Sequence, residues 1–493
     1  MRRQEEVLDR RDVPRRKRLG GLVRALRFVP VLLVAVVLAA CSDTANQTPG
    51  TTGAGGQKGP STQASSGATG IKKIDNVVII AQENKSFDTY FGTFPGAEGI
   101  PMRNGKPTVC SKDPVNGKCE TPYYNSKGTN LGGPHDAQAF TNSVNGGKMD
   151  GFLEMERAGR KVTCKGDGIE KYFDPECSPA DKGAEPDVMG YRDARDIPNY
   201  WRYAEEFVLQ DRFFAPVRSA SVPNNVARLN GWAATCDTND PASCKSDLNI
   251  PNVRPKGAEP EKFSQTDITY LLHKNNVSWR YYVEKELKQG NTPLERNPMP
   301  SFTTVKQNGQ LGNIQDVENY YAAAKSGNLP AVSWVMSGPK NSEHPPASIQ
   351  DGQAFVTRAI NAVMQGPNWD TTAIFLTWDE WGGFYDHVPP VKVDQNGYGI
   401  RVPGLIISPY ARKGYIDSQT LSPDAYLKFI EDRFLNGQRL DPATLDRPDP
   451  RPTVREEVPE LGDITKAFDF SQNPRPPVVL PERPKPGPAS TGG

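Results

Sequence analysis

The apolar positions of this chain gather into a few short continuous runs. Ile74–Ile80, Thr372–Trp378 and Gly404–Ser408 each carry a continuous stretch of mostly β-branched, leucine or aromatic residues. Runs of this length without alternation predict strands buried on both faces, as in the middle of an α/β sheet. Val277–Val283 and Ala331–Met336 predict further strands, and Asn199–Phe207 predicts a short helix. Between Gln350 and Met364 the apolar residues Phe355, Ile360 and Val363 recur at helical spacing, just before the Thr372 run, where a crossover helix would lie. Ser422-Pro423 supplies an N-cap and a first-turn proline for a helix over Ala425–Leu435, and Gly437 supplies its stop. Alternating strands and helices predict one α/β domain over residues 71–440. From Asp441 to Gly493 proline and charge are dense and no amphipathic period survives, which predicts a segment that wraps the surface or stays disordered.

Two regions depart from this pattern. Residues 95–195 are rich in Gly, Pro, Asn and Lys and show little periodicity, so they predict a loop-rich insertion of the kind that covers a site. Residues 1–40 combine Arg15-Arg16-Lys17-Arg18 with an apolar run from Phe28 to Ala40 that is short for a bilayer span, and they end at Leu38-Ala39-Ala40-Cys41. This predicts a cleaved lipoprotein signal with a lipidated Cys41 as membrane anchor; an uncleaved anchor and an ordinary signal peptide are the alternatives. Residues 41–70, mostly Ser, Thr, Gly, Gln and Ala, then read as a tether.

Charge adds one exclusion. The formal net charge of +1 hides ten Lys/Arg and four Asp/Glu in residues 1–40, without which 49 basic face 54 acidic side chains. No clustered basic surface is expected, and no nucleic-acid partner. The cysteines other than Cys41 fall in close pairs, Cys110 with Cys119, Cys164 with Cys177 and Cys236 with Cys244. None has CxxC spacing, so local disulfides are favoured over zinc, in keeping with an exported protein.

Candidate chemistry sits at the ends of the predicted strands. Glu83 and Asn84 follow the first, and Asp379-Glu380 follows the Thr372 run, immediately before the tight turn that Gly382-Gly383 allows. Side chains at the carboxyl edge of an open α/β sheet lie where such sheets bind ligands, although two solvated acids ending a strand would look the same. Carboxylate and amide oxygens suit a hard divalent cation of unknown identity. Ser219 and Ser221 precede a helix-like run, where a hydroxyl serves either as an N-cap or as a nucleophile beside backbone N–H groups. Among four histidines, His135 and His344 lie in loops beside turn residues and are candidate phosphate donors or general acids. His273 lies on an apolar helical stretch and reads as structural. His387 is expected to brace the acid pair by a hydrogen bond.

These residues carry a resemblance. Ala81–Gly92, Ser221–Asn224, Glu343–Pro346 and Thr377–Val388 resemble, in order, the blocks of the bacterial phosphoesterase family that includes phospholipases C and a branch of acid phosphatases. The resemblance implies an alkaline-phosphatase-like fold, a three-layer α/β/α sandwich with a mixed central sheet. It implies a metal held at Glu83, Asn84, Asp379, Glu380 and Ser221, with Ser221 as nucleophile and His135 and His344 contacting phosphate or protonating the leaving group. The substrate implied is a phosphate monoester or a phospholipid. Ser221 stands where the phospholipases usually carry Thr, Asn225 where many members carry Arg, and Glu380 where Asp is frequent. These departures motivate an alternative: an inactive surface lipoprotein that binds a phosphorylated ligand. A sulfatase is disfavoured because the segment Ser221–Asn225 lacks that family's arginine.

Overall fold

The computed structural model describes residues 68–163, 186–251, 259–284 and 294–490, and these all fall in one compact unit, Gln63–Gly493. The signal, Cys41 and most of the tether lie outside the described residues, as does the Cys164–Cys177 pair. Among the described residues no helix is long and apolar enough to cross a membrane.

Eight strands form the central sheet: β1 (Asn76–Gln82), β2 (Val208–Gln210), β3 (Trp279–Val283), β4 (Ile314–Asp316), β5 (Val332–Met336), β6 (Thr372–Trp378), β7 (Gly404–Ile407) and β8 (Tyr415–Asp417). Their spatial order is β4-β3-β5-β1-β6-β7-β2-β8. The five strands from β4 to β6 run parallel, β7 is antiparallel to both β6 and β2, and β8 is parallel to β2. The expected mixed sheet is therefore present.

Every residue of β1 and β6 is buried because helices cover both faces. Alternation along β6 shows how. Phe375 stacks on Tyr426 at 4.5 Å and meets Phe429 edge-on at 5.3 Å, both from the helix Pro423–Phe434. Trp378, on the opposite face, meets Tyr90 at 5.5 Å and Tyr200 at 5.2 Å, from the helices Phe87–Phe91 and Pro198–Glu206. The crossover helix between β5 and β6 spans Ile349–Met364. It begins at Ser348, whose hydroxyl accepts from the Asp351 N–H as an N-cap.

The insertion holds more regular structure than its composition suggested. Ala137–Val144 and Phe152–Thr163 are helices, the first capped by Asp136 through the N–H groups of Gln138 and Ala139. Phe140, Met149, Phe152 and Leu153 from this region pack with Trp381 and Tyr385 into a small core of their own. Short helices with few apolar residues leave a weak periodic signal, and here that signal is completed by two aromatic residues from a distant loop. The disulfides Cys110–Cys119 and Cys236–Cys244 each close a short antiparallel pair of strands.

Residues 441–490 run along the body. The Trp369 indole donates to the Arg475 carbonyl at 2.8 Å, Asn361 and Asn199 donate to the carbonyls of Leu480 and Pro481 at 2.7 Å each, and the Ser490 N–H reaches Asp193 at 2.9 Å.

A buried charge cluster ties β7 to the loop after β6. Arg401, fully buried, pairs with Asp88 at 3.1 Å and Asp386 at 3.0 Å, and donates to the carbonyls of Glu98 and Asp211. His387 completes it, its Nδ1 lying 2.8 Å from Asp88 Oδ2. His387 therefore braces Asp88 and not the acid pair, contrary to the expectation from its proximity in sequence: the glycine turn reverses the chain between them. Burial alone would pull the His387 imidazole down, but the Asp88 charge outweighs it and holds its pKa above the usual value. Removing one member of a buried ion network leaves its partners charged and unpaired, at a cost of about 3–5 kcal/mol. Arg401→Met is expected to lose stability of that order in urea unfolding at pH 8, and less at pH 5, where protonation can relieve the stranded carboxylates.

Candidate active site

The site begins with the register of two parallel strands. Gln82 at the end of β1 lies opposite Trp378 at the end of β6, so Glu83-Asn84 and Asp379-Glu380 leave the sheet side by side. The pairing continues one step beyond the strands: the Asp379 N–H donates to the Gln82 carbonyl at 3.0 Å and the Lys85 N–H to the Glu380 carbonyl at 3.0 Å. Asp379 Oδ1 then accepts from the N–H groups of Asn84 (3.0 Å) and Glu380 (2.8 Å), which fixes its carboxylate between the two chains. Glu380 Oε2 accepts from the Gly382 N–H at 2.7 Å.

The two glycines are required here. Gly382 and Gly383 have φ of 63° and 78°, and a Cβ on Gly383 would stand 2.5 Å from the Gly133 backbone. That contact seats the insertion on the acid-pair loop, where the Gly133 N–H donates to the Gly382 carbonyl at 2.9 Å. Two residues on, His135 Nδ1 donates to the Gly133 carbonyl at 2.7 Å, which leaves Nε2 as the exchanging nitrogen. Nε2 lies 3.5 Å from Glu380 Oε1 and 3.5 Å from Asn84 Nδ2.

The second histidine arrives from the loop after β5. Glu83 is tied to it by its N–H, which donates to the Ser342 carbonyl at 3.0 Å. His344 Nδ1 donates to the Pro345 carbonyl at 2.8 Å, so its Nε2 is also free, and the two imidazole centroids are 6.4 Å apart. Burial lowers the His344 pKa to about 3, helped by the charges of His135 and Arg296, so the imidazole is neutral in the folded protein. Behind it the buried Glu343 carboxylate accepts from Tyr200 (2.5 Å), Tyr90 (2.6 Å) and the Trp378 indole (3.0 Å).

Lys85, fully buried, joins the two loops. Its Nζ donates to the carbonyls of Asn84 and Glu343 at 2.8 Å each, and both acceptor residues have left-handed backbones, with φ of 59° and 66°. Non-glycine residues adopt that region only at a cost, and a shared ammonium offsets it. Burial lowers the Lys85 pKa to about 8, against the pull of Glu343.

Ser221 opens the buried helix Ser221–Ala227. Ala220 occupies the cap position and the Ser221 hydroxyl makes no hydrogen bond, so it does not serve as an N-cap. Nor does it bond to the other candidates; its helix is linked to them through Asn225 and Arg228, the latter interacting electrostatically with Asp379 and Glu83.

Glu83 Oε2, Asn84 Oδ1, Asp379 Oδ2, Glu380 Oε1 and Ser221 Oγ are all buried without a hydrogen-bond partner. Glu83 Oε2 is additionally 3.2 Å from Arg296 Nη2, an ion pair without hydrogen-bond alignment. Burial, foremost, together with Asp379, raises Glu380 well above the usual carboxyl range; Glu83 is also raised well above it, by burial, with Arg296 opposing. Buried carboxylates with open lone pairs repel one another unless protonated or neutralised by a cation. The donor set therefore fits a hard divalent ion, although Glu83, Asp379 and Glu380 do not bring ligand atoms mutually within 4.8 Å. Among the described residues the group that does is Asp88, Asp386 and His387. Its two carboxylates already pair with the buried Arg401, which fills the role a cation would play there.

Sequence reasoning missed Lys85 and the two arginines. Lys85 stands inside the first motif, but nothing in spacing shows that its ammonium reaches across to Glu343. Arg228 and Arg296 stand outside every motif.

Comparisons with known proteins identify a family. The Phosphoesterase family model matches residues 74–435. Relatives include the non-hemolytic phospholipase C of Burkholderia pseudomallei, 26% identical over 473 residues and covering 81% of this chain and 60% of that protein. Phospholipase C B of Mycobacterium tuberculosis is 25% identical over 463 residues, covering 82% of this chain and 80% of that one. Non-specific phospholipase C1 of Arabidopsis thaliana is 26% identical over 394 residues, with coverage of 72% and 64%. This chain thus spans about 60% of the length of the Burkholderia relative. A solved protein of the alkaline phosphatase superfamily from Vibrio parahaemolyticus is matched at a TM-score of 0.28 and 15% identity, over 48% of this chain and 60% of that one. With the family model covering most of its length, the chain belongs to the Phosphoesterase family.

Proposed function

We propose that this protein hydrolyses phosphoric esters with Ser221 as nucleophile, acting as a phosphatase or a phospholipase C. One observation carries the reading: one buried oxygen from each of Glu83, Asn84, Asp379 and Glu380, where two strands end side by side, and the buried Ser221 hydroxyl have no hydrogen-bond partner. These five residues would hold a divalent cation, which when bound would lower the pKa of the serine hydroxyl and offset charge on the phosphoryl oxygens.

Ser221 Oγ forms a bond to phosphorus as the bond from phosphorus to the alcohol oxygen breaks. The serine proton passes to an acceptor and the leaving alkoxide takes one from an acid. His135 and His344, each with Nδ1 held by a backbone carbonyl, supply the imidazoles that would contact phosphate or protonate the leaving group. Water then attacks the phosphoserine, restoring the Ser221 hydroxyl and releasing phosphate from a monoester. With a phospholipid, the same steps release diacylglycerol and then the phosphorylated head group. Relatives named phospholipase C support the substrate class. The lipobox-like Leu38–Cys41 supports anchoring through a lipidated Cys41 on the exported side of a membrane.

Four outcomes are expected. Purified protein with a divalent cation should release p-nitrophenol from p-nitrophenyl phosphate or diacylglycerol from phosphatidylcholine, and Ser221→Ala should lower kcat by at least about a thousandfold with phosphate binding retained. Release from neither substrate with any of Mg²⁺, Ca²⁺, Mn²⁺ or Zn²⁺ would sink the reading and favour an inactive binder. EDTA should lower Tm, added cation should restore it, and Asp379→Asn should abolish that response. The low His344 pKa means the unfolded chain takes up a proton there that the folded protein refuses. Cation-free stability should therefore fall as pH drops from about 6.5 toward about 3, and His344→Gln should flatten that part of the slope in urea unfolding. Finally, Cys41→Ala should move the protein from the membrane fraction to the soluble one, as read by fractionation.

A further inference from the structure

Two arginines are buried beside the candidate site, each 4% exposed, and both leave donors without a hydrogen bond. Arg296 sets Nη2 3.2 Å from Glu83 Oε2 and Nε 3.5 Å from Glu295 Oε1, while its Nη1 has no hydrogen-bond partner. Arg228 donates from Nη2 to Asn225 Oδ1, comes within 3.6 Å of Met336 Sδ and interacts with the Tyr281 phenol; its Nε and Nη1 make no aligned hydrogen bond. Asn225 joins the two. Its Oδ1 accepts from Arg228, and its Nδ2 donates to the Glu295 carbonyl, the residue just before Arg296.

Leaving a buried polar group unpaired costs about 1–3 kcal/mol, and more when it is charged. Were these arginines present only to neutralise the acids, their donors would be expected on the open carboxylate oxygens. Only Glu83 is approached so; Asp379 Oδ2 and Glu380 Oε1 have no hydrogen-bond partner, the latter facing His135 Nε2 at 3.5 Å, although Arg228 interacts electrostatically with both Asp379 and Glu83. Unpaired donors and unpaired acceptors thus coexist at one centre without satisfying each other. A cation would complete the acceptors. The donors call for an anion with several oxygens, and guanidinium groups match a phosphoryl group in charge and fork geometry.

We propose that Arg228 and Arg296 form a two-guanidinium clamp on the non-bridging oxygens of the phosphoryl group, held in place by Asn225. The clamp rests on the hydrolase reading for its ligand but requires only phosphate binding. It also gives Asn225 a role: a neutral amide can accept from one arginine and donate to the segment carrying the other, which a third cation in its place could not do.

The test is calorimetric titration of the full chain, with Mn²⁺ present, by inorganic phosphate. Arg228→Met and Arg296→Met are each expected to weaken phosphate binding at least tenfold while Mn²⁺ affinity stays within twofold of wild type. Asn225→Ala should weaken phosphate binding by a smaller factor. Arg228→Lys and Arg296→Lys, which keep the charge and lose the fork, should fall between wild type and the Met variants, and they decide the matter if a Met variant fails to fold by circular dichroism. Phosphate affinity within twofold of wild type in the folded variants overturns the clamp, as does parallel loss of phosphate and Mn²⁺ binding, which marks a purely structural role. Wild type that binds phosphate without turning over any ester sinks the hydrolase and leaves the clamp standing; wild type that binds no phosphate removes the clamp.

Discussion

The pairing of β1 with β6 is the constraint on which the site depends. Parallel strands advance in the same direction, so residues that follow them in sequence leave the sheet at the same edge and in the same register. Because Gln82 pairs with Trp378, two consecutive pairs of oxygen-bearing side chains, from segments nearly three hundred residues apart, become neighbours. A slip of one residue would turn one of the two pairs toward the opposite face. The burial of every residue in both strands makes such a slip expensive, and so the hydrophobic core fixes the geometry of the polar centre.

Around that register the protein concentrates buried charge. Glu83, Glu295, Glu343, Asp379 and Glu380 are answered within the fold by Lys85, Arg228 and Arg296. Lys85 is the most economical of these, because one ammonium holds two loop residues in left-handed conformations and lies over the rings of Tyr90 and Phe384. Glu343, whose carboxylate takes three donors, anchors the loop that carries His344 from the other side. Rigid placement of the imidazoles follows from these contacts and not from the histidines themselves.

Much of this was legible in the chain. The runs Ile74–Ile80 and Thr372–Trp378 were long and β-branched enough to specify central strands, and the residues following each could be placed at the sheet edge from sequence alone. The crossover helix Ile349–Met364 and the capped helix Pro423–Phe434 were equally plain, since periodicity and capping agree there. The helices of the insertion were not, because their apolar face is completed by Trp381 and Tyr385 from outside the segment. His387 was misplaced for a related reason: closeness in sequence to Asp379-Glu380 says nothing about direction once Gly382 and Gly383 turn the chain. Arg228 and Arg296 could not be found at all by motif, as their importance lies in what their side chains leave unpaired.

The lacing of residues 475–490 has a consequence for the order in which the molecule can assemble. This segment is made after every element it binds, yet it closes hydrogen bonds on Asn199, Asn361 and Trp369, which lie beside the helices covering one face of the sheet and the loop entering β6. Those helices can dock before it arrives, but the polar groups along their outer edge stay hydrated until the strap is laid down. The strap can thus be laid down last and from outside, on a body whose candidate site is framed by other elements.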